Sequence, residues 1–388
     1  MTRDFDIIVV GLGGLGSAAL YWLSRRAGAR VLGLEQFELG HVRGASQDHS
    51  RIIRLSYHTP EYVRLAGQAY QAWDALEQDA NEKLILKTGG LDFAPRRAAI
   101  DLSAYSRSMA AAGVPFEHLD AGEIMRRWPQ FKLTSDIHGL YQADGGIAPA
   151  AKCNAAHLRL AREHGAIIQD RMAVTSLWDK DGEIEVETDA TTYRCGKLIL
   201  AVDAWTNSLL AHFGMKLPLT ITQEQVTYFA SPRAADFAPD RFPVWIWMDE
   251  PCFYGFPAYG EAGPKAAQDV GGAEVTADTR TFEPNPAAFR RVEDFLARHI
   301  RSALGPAIFT KTCLYTLTPD RDFVIDALPE HPSVFVALGA AHGFKFASLI
   351  GIILSELAID GATRSHIEPF GIERPILLAH DPPKTFMM

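Results

Sequence analysis

A glycine motif near the start of the chain has the residue types and spacing of a nucleotide-binding site. Gly11, Gly13 and Gly16 form a Gly-x-Gly-x-x-Gly pattern directly after the mostly apolar residues 5–10 and before a helical pattern. The first glycine allows a tight turn, the second lets a pyrophosphate approach the backbone, and the third packs the helix against the strand. Glu35 ends the next predicted strand, about 20 residues on, where a carboxylate can hold ribose hydroxyls. We therefore predict a dinucleotide-binding site.

Two arginines lie three residues apart in the segment Ser50-Arg51-Ile52-Ile53-Arg54, flanked by β-branched apolar residues. A guanidinium that loses its water requires a partner. The planar fork of donors suits the carboxylate of a ligand, but structural ion pairs with carboxylates of the protein would satisfy the arginines as well. The pattern leaves both interpretations open.

Five other reactive or polar residues are less distinctive. Lys345 lies in the most apolar stretch of the chain, just before a predicted helix. A helix start collects anions, although a lysine there can also extend its charged end to water. Cys313 occupies a short apolar segment, where it is either a nucleophile or a buried structural cysteine. Lys265 has the local pattern of a solvated loop lysine, and Tyr254 and Tyr315 have the pattern of aromatic core.

Composition restricts the class of protein. A chain of 388 residues is expected to form two domains or one large elaborated unit. Its net charge of -9 argues against a nucleic acid or an anionic membrane as partner. No apolar run is long enough for a transmembrane helix. The four cysteines are far apart and the chain opens directly into a predicted strand. We therefore expect a cytoplasmic protein without a signal peptide, a disulfide framework or a metal site.

The hydrophobic periodicity predicts the elements that must position these residues. Helices are predicted after the glycine motif and at 100–113, 121–128, 149–164, 287–301 and 346–359. Strands are predicted at 31–35, 87–93, 172–179, 184–188, 197–202, 323–326 and 334–338, and residues 219–260 alternate with a period of two. Nucleotide-binding character thus occurs at both ends and in the middle. We predict an α/β fold with α+β elements: a Rossmann-type nucleotide-binding domain (1–86, 145–218 and 310–388) interleaved with a β-sheet substrate-binding domain (87–144 and 219–309).

Taken together, these segments resemble the monomeric sarcosine oxidase and N-methyltryptophan oxidase family, within the D-amino-acid-oxidase-like flavoproteins. The resemblance runs nearly end to end, and FAD is the cofactor it implies. The cysteine, lysine and double-arginine elements are more specific than the glycine motif, which many dinucleotide enzymes share. The resemblance is carried by the glycine motif, Ser50-Arg51-Ile52-Ile53-Arg54, Lys87-Thr88-Gly89, Arg127-Trp128-Pro129, Tyr254-Gly255-Phe256-Pro257, Lys265, Cys313-Leu314-Tyr315-Thr316, Asp322-Phe323-Val324-Ile325-Asp326 and His342-Gly343-Phe344-Lys345-Phe346.

The resemblance implies a role for each of the less distinctive residues. Cys313 matches the cysteine that carries FAD through a covalent thioether. Arg54 and Lys345 match the ligands of the substrate carboxylate, and Arg51 matches the residue over the flavin ring. Lys265 matches the residue that promotes reaction of the reduced flavin with oxygen, which distinguishes an oxidase from a dehydrogenase.

The remaining site predictions also follow from the resemblance. Tyr254 and Tyr315 are expected to line the amine pocket, and Tyr254 is assigned to catalysis together with Lys265 and Arg51. Backbone amides near His342 are expected to stabilise negative charge on the reduced flavin. The predicted FAD-binding residues are Gly11, Gly13, Gly16, Glu35, Ser50, Arg51, Val174, Cys313, His342, Gly343 and Lys345.

The chain departs from the family pattern around the substrate. Gln47 stands where the sarcosine enzyme has a pocket histidine, and Ala340-Ala341 replace a Ser-Gly pair. Asp269 replaces a histidine four residues after Lys265 and is expected to bind substrate beside the amine. Residues 222–225 replace a Pro-x-Arg-Gln pattern. These changes are expected to alter the preferred size or charge of the substrate.

The expected reaction is oxidation of a secondary (N-methyl) amino acid such as sarcosine. A hydride passes from the amine substrate to flavin N5, the imine hydrolyses, and oxygen reoxidises the flavin to give hydrogen peroxide. Three alternatives stay open: an oxidase of cyclic imino acids such as proline or pipecolate, a dehydrogenase of the same fold with another electron acceptor, and a flavin-binding scaffold without turnover. The expected partners are a small amino acid and oxygen, with no nucleic acid and no membrane, and the protein is expected to be a monomer.

Overall fold

The computed structural model describes residues 3–27 and 30–385. Within these residues the chain alternates between short strands and helices. The strands are β1 (Arg3–Val10), β2 (Val31–Leu34), β3 (Arg51–Ile53), β4 (Leu86–Lys87), β5 (Gly90–Pro95), β6 (Glu117–Asp120), β7 (Ile137–Gln142), β8 (Gly146–Ala148), β9 (Ile167–Gln169), β10 (Val174–Lys180), β11 (Glu183–Thr188), β12 (Thr192–Leu200), β13 (Thr220–Phe229), β14 (Val244–Trp247), β15 (Phe253–Phe256), β16 (Lys265–Gln268), β17 (Ala273–Glu274), β18 (Ala307–Leu317), β19 (Val324–Leu328) and β20 (His331–Leu338). The α-helices are α1 (Gly14–Ala27), α2 (Pro60–Ala80), α3 (Leu102–Ala111), α4 (Ala121–Arg127), α5 (Ala150–Glu163), α6 (Thr206–Leu210), α7 (Pro286–His299), α8 (Ala347–Asp360) and α9 (Pro375–Leu378).

An eight-stranded sheet forms the Rossmann-type part of the fold. Its strand order is β10-β11-β12-β1-β2-β9, and β20 joins it by pairing with the last residues of β12 and with β19. β1 runs parallel to both β2 and β12. Helix α1 packs against α5 and α8. A parallel sheet covered by helices buries both of its faces, and β2 is accordingly buried along its whole length.

A nine-stranded, mostly antiparallel sheet forms the second part. Its order is β17-β13-β16-β15-β14-β5-β7-β6, with β18 paired along β13. Aromatic residues that alternate on β14 and β15 pack with helix α7 in one hydrophobic cluster that includes Trp245, Phe253 and Phe295. A small sheet, β3-β8-β4, holds the first arginine of the double-arginine segment.

The predicted mixed α/β architecture is confirmed, and the predicted helices occur within a few residues of their expected bounds. The single strand predicted at 87–93 is wrong. Gly89 has a φ of +78°, a conformation that a continuous strand cannot accommodate. The chain therefore turns there, with β4 in the small sheet and β5 in the nine-stranded sheet.

The strands of the two large sheets come from alternating segments of the chain. The predicted domain boundaries stay a prediction. One segment differs from the predicted assignment: β18 pairs with β13 in the nine-stranded sheet, although residues from 310 onward were predicted with the nucleotide-binding domain. In the described part of the chain, no helix has the length and apolar character that crossing a bilayer requires.

Candidate active site

A cavity of about 1130 Å³ brings the predicted site residues together. Its wall includes residues at the carboxyl ends of β1, β2, β12 and β20, the edge at which open α/β sheets bind ligands. The facing wall comes from β13, β15, β16 and β18 of the other large sheet. The predicted residues that line it are Gly11, Gly13, Glu35, Ser50, Arg51, Arg54, Val174, Tyr254, Lys265, Asp269, Cys313, Tyr315, His342, Gly343 and Lys345.

Gly16 is the one predicted site residue outside the cavity wall, and its role is to bring the helix close to the strand. A Cβ atom there would lie 1.7 Å from the carbonyl oxygen of Gly11. Gly11 itself has a φ of +85°, and a Cβ atom on it would lie 2.6 Å from the carbonyl oxygen of Ala201. The glycines therefore leave the start of α1 open to the cavity, where backbone amides and the helix dipole favour a phosphate.

The carboxylate of Glu35 is held at the end of β2. Its Oε2 accepts a hydrogen bond from the amide of Leu12 at 2.9 Å, and its Oε1 accepts one from the amide of Phe37 at 3.1 Å. Burial raises the pKa of this carboxyl, but the bonds from His41 and from these two amides outweigh it and leave the pKa lowered. Glu35 is thus an ionised acceptor beside the glycine turn. Together with the open turn and the size of the cavity, it fits a bound dinucleotide.

Lys265 is a buried cation on β16, so the loop-lysine interpretation is wrong. Its side chain is 2% exposed, and its Nζ donates to Asp48 Oδ2 at 3.0 Å and to the carbonyl of Ser50 at 2.9 Å. The ammonium also lies 4.0 Å from the ring centroid of Phe256. Burial lowers the pKa of Lys265 to about 8, against the opposing effect of the Asp48 carboxylate. Arg51 stands beside the same carboxylate, with 3.9 Å between Nη1 and Oδ2.

Arg54 reaches the cavity wall already paired with a carboxylate of the protein. Its Nη1 lies 3.2 Å from Oδ1 of Asp92, and both side chains are buried. The guanidinium also lies 5.0 Å from the ring centroid of Tyr57. A guanidinium has five N–H donors, so this pairing is compatible with a further ligand.

A second buried ion pair adjoins the first. Arg321 binds Asp269 in a two-point fork, with Nη1 to Oδ2 at 2.7 Å and Nη2 to Oδ1 at 3.0 Å. The predicted substrate ligand Asp269 is therefore engaged by the protein itself. This bidentate pairing fixes its carboxylate in one orientation.

Lys345 differs from Lys265, Arg54 and Arg321 because it has no carboxylate within 4.0 Å in the described chain. Its Nζ donates to the carbonyl of His342 at 2.9 Å. Burial lowers its pKa well below the usual lysine range, and the charges of Arg54 and Arg321 lower it further. An anion bound beside Lys345 would raise this pKa and favour the ammonium form.

His342 is a neutral ring in the same wall. Burial and the charges of Lys345 and Arg321 lower its pKa well below the usual histidine range. Its Nε2 lies 2.8 Å from the carbonyl of Arg321 and must donate to it. Tyr254 and Tyr315 meet across the cavity with 3.3 Å between their hydroxyls. Burial raises the pKa of both phenols, so both are protonated donors.

Two of the four free cysteines line the cavity, Cys313 on β18 and Cys252 before β15. Burial raises the pKa of Cys313 to about 11, while the charge of Arg51 acts in the opposite direction. The pKa of Cys252 is raised by burial and by the charge of Asp269. The pKa values of the two thiols therefore respond to different charged groups, that of Cys313 to Arg51 and that of Cys252 to Asp269.

Of the departures from the family pattern, Gln47, Asp269 and Ala341 line the cavity, whereas Ala340 and residues 222–225 do not. Gln47 donates to the carbonyls of Val42 and Thr312, both at 2.9 Å. Ala340 and Ala341 have φ values of +44° and +66°, in the left-handed region that favours glycine. Gln47 thus shapes the wall through its contacts with backbone carbonyls, and Ala341 through its backbone conformation.

Sequence reasoning missed the charged partners of the predicted residues: Asp48 and Arg321 in the cavity wall, and Asp92, which pairs with Arg54. Asp48 precedes the double-arginine segment, but no local spacing signals its contact with Lys265, which lies 217 residues away. Arg321 stands next to the recognised segment that begins at Asp322 and carries no pattern of its own.

A Rossmann-type sheet that opens through a glycine turn into a cavity of buried charges defines a dinucleotide-dependent oxidoreductase. The chain belongs to the DAO family of FAD-dependent oxidoreductases, whose family model matches residues 6–357. The residues of the glycine turn and Glu35 fit FAD on the geometry given above.

The similarity to individual relatives extends over nearly the whole chain. It is 37% identical to a monomeric sarcosine oxidase from Streptomyces avermitilis, over 98% of this chain and 100% of that protein. It is 28% identical to an N-methyl-L-tryptophan oxidase from Salmonella heidelberg, over 95% of this chain and 99% of that protein. Among solved structures it is similar to the open form of NikD, an unusual amino acid oxidase essential for nikkomycin biosynthesis. That comparison has a TM-score of 0.86 and 28% identity, and covers 98% of this chain and 100% of the other.

Proposed function

We propose that this protein oxidises secondary, N-methyl amino acids such as sarcosine and uses oxygen as the electron acceptor. The observation that carries the proposal is Lys345, a cation in the cavity wall that has no carboxylate partner in the described chain. An amino acid supplies the missing carboxylate. The similarity to sarcosine and N-methyltryptophan oxidases supports the same class of substrate.

The substrate carboxylate would be held by Lys345 and Arg54. The ammonium of Lys345 has three N–H donors and gives one to the carbonyl of His342. The guanidinium of Arg54 is fixed by Asp92, which orients the face that a ligand meets. Two anchored cations convert a diffusional encounter into a positioned one and so lower the entropy cost of reaction.

The same cations favour binding of the neutral amine. A positive charge nearby disfavours an ammonium and lowers its pKa, and Lys345, Arg54 and Arg321 all lie in this wall. Asp269 is turned toward Arg321, so its negative charge is largely offset there. We therefore propose that no side chain is needed as a base, and that Tyr254 and Tyr315 serve as neutral donors that line the amine pocket.

Bound FAD would supply the acceptor for the hydride of the substrate C–H bond and then two electrons for oxygen, which takes up two protons to give hydrogen peroxide. Around it, Lys265 would supply the fixed positive charge that favours the first electron transfer to oxygen. Arg51, held by the carbonyls of Ser50 and Ala45 at 2.8 and 2.6 Å, would lie against the ring system. Ser50, Val174, His342 and Gly343 would complete the contacts.

We further propose that Cys313 carries FAD covalently through a thioether. The supporting observation is that Cys313 lines the cavity close enough to Arg51 for its charge to oppose the pKa rise caused by burial. Cys252 offers a matched control, because it is the other cysteine of the cavity wall. The similarity to proteins named monomeric sarcosine oxidase supports a monomer, which size-exclusion chromatography with light scattering tests.

The experiment that tests the proposed function is a peroxide assay on the purified holoenzyme. Sarcosine, N-methyltryptophan, proline, pipecolate and glycine are compared, with dimethylamine as a substrate that lacks a carboxylate. We expect peroxide in amounts equal to the oxidised N-methyl amino acid and little turnover of dimethylamine. A preference for proline or pipecolate would identify the cyclic imino acids as substrates. Substrate-dependent reduction of an artificial dye without peroxide would identify a dehydrogenase.

A further inference from the structure

Asp48 is a carboxylate of the cavity wall to which the proposed function gives no role. Its φ is +85°, a left-handed conformation that glycine adopts freely and an aspartate adopts at a cost. Its side chain is 3% exposed and both oxygens are used. Oδ1 accepts from the hydroxyl of Tyr228 at 2.9 Å, and Oδ2 accepts from Nζ of Lys265 at 3.0 Å. A strained backbone around a fully engaged side chain indicates a functional constraint.

The charge of Lys265 depends on this carboxylate. The titratable groups that face the ammonium are Asp48 just before β3, Arg51 at the start of β3, Tyr228 on β13 and Cys313 on β18. Burial raises the pKa of the Tyr228 phenol and of the Cys313 thiol, so both are neutral at neutral pH. Arg51 is a like charge and opposes protonation. Among these groups, Asp48 alone stabilises the ammonium with a full negative charge.

We propose that Asp48 is a positioning residue that keeps the side chain of Lys265 protonated and fixed in the cavity wall. This inference rests on the proposed function, because it gives Lys265 the part in the reaction with oxygen that is stated there. Two of the three ammonium donors are committed, to Asp48 and to the carbonyl of Ser50. The ring of Phe256 closes one side at 4.0 Å. The ammonium is therefore held in one place rather than free to rotate.

The sign of the expected pH effect follows from the two opposing influences on Lys265. Burial lowers its pKa to about 8, and Asp48 is the largest influence in the other direction. Replacing Asp48 with a neutral residue removes that support, so the ammonium loses its proton at a lower pH. An opposite charge at this distance typically shifts a pKa by about one to three units. We therefore expect the pH above which reoxidation slows to fall by at least about one unit.

The test compares Asp48→Asn and Asp48→Gly with wild type as holoenzymes. Asparagine keeps the shape of the side chain, and glycine relieves the backbone, so the glycine variant carries the test if the asparagine variant misfolds. Stopped-flow reoxidation of the reduced enzyme is measured across neutral and alkaline pH. A second readout, independent of turnover, is the flavin midpoint potential as a function of pH. Titration of a nearby lysine adds an inflection to that curve, which should lie near 8 in wild type and at lower pH in both variants. Glu261→Gln is the matched control. It also neutralises a carboxylate, but that carboxylate pairs with His49, the residue after Asp48, and not with Lys265.

Two further variants, Lys265→Met and the double variant Asp48→Asn/Lys265→Met, separate the role of Lys265 in the reaction with oxygen from the role of Asp48 in supporting Lys265. If Lys265→Met reoxidises at the wild-type rate, the role of Lys265 in the proposed function is wrong. If Lys265→Met is slow and both Asp48 variants keep the wild-type inflection, the Asp48 inference is overturned. Because Asp48 acts through Lys265, the double variant should show the pH profile of Lys265→Met alone. A further shift in the double variant would also overturn the inference.

Discussion

Replacing Lys345 tests most directly how the cavity selects an anion. Lys345→Met keeps the length of the side chain and removes its charge. Truncating one partner of a desolvated, hydrogen-bonded charge pair costs about 2–5 kcal/mol. The side chain of Lys345 is only partly buried, so the lower part of this range applies, about 2–3 kcal/mol. At about 1.4 kcal/mol for each factor of ten, carboxylate affinity should fall about 30- to 150-fold.

The assay is titration of the oxidised holoenzyme with propionate, followed by the change in flavin absorbance. Propionamide is the matched ligand, because it has nearly the same shape without the charge. Wild type should prefer propionate strongly, and Lys345→Met should lose that preference while its affinity for propionamide stays within a few-fold. An equal loss for both ligands would show that Lys345 supports the shape of the pocket and does not select charge.

The pH dependence of the same titration has a defined sign. Burial and the neighbouring arginines lower the pKa of Lys345 in the ligand-free protein, and a bound carboxylate favours the ammonium. Above the lowered pKa, carboxylate binding therefore requires uptake of a proton, and wild-type affinity should fall as pH rises. Lys345→Met should lack this slope. A wild-type affinity that stays constant across neutral and alkaline pH would refute the reasoning.

Three further predictions concern the cofactor and the packing around it. Cys313→Ser should release all flavin on acid denaturation while Cys252→Ser retains it, as measured by flavin fluorescence of the supernatant; flavin released from active wild-type enzyme would falsify the covalent link. Gly16→Ala should lower the free energy of unfolding by about 3 kcal/mol or more, because the new Cβ meets the Gly11 carbonyl at 1.7 Å. The control is Gly67→Ala in α2, where the new Cβ has no neighbouring atom within 4 Å. In urea unfolding this control should be neutral or stabilising. Asp269→Asn should lower the free energy of unfolding by about 3 kcal/mol, because it removes the carboxylate from a buried guanidinium; a loss below about 1 kcal/mol in the same assay would show that other contacts of Arg321 suffice.

The resemblance carried by short motifs predicted the family, and all but one of the predicted site residues lie in one cavity wall. Fifteen of the predicted site residues line one cavity, and the exception, Gly16, lies directly behind it. The partners of those residues were not predictable in the same way. Arg54 was expected to be available to substrate, whereas Asp92 binds it. Asp269 was expected beside the amine, whereas Arg321 holds both of its oxygens.

The sequence by itself determined what depends on neighbours along the chain. Helix positions follow from a local period, and the glycine turn follows from backbone conformations that few other residues adopt. The tertiary structure alone decided which charges are buried together. Lys265 has the local pattern of a loop lysine, yet it lies buried on a strand. The local pattern does not show this, because its partner Asp48 comes from a segment 217 residues away. The Arg54–Asp92 and Arg321–Asp269 pairs likewise join positions 38 and 52 residues apart. The energy of a buried charge depends on the groups that surround it in space, and the spacing of residues along the chain does not predict those groups.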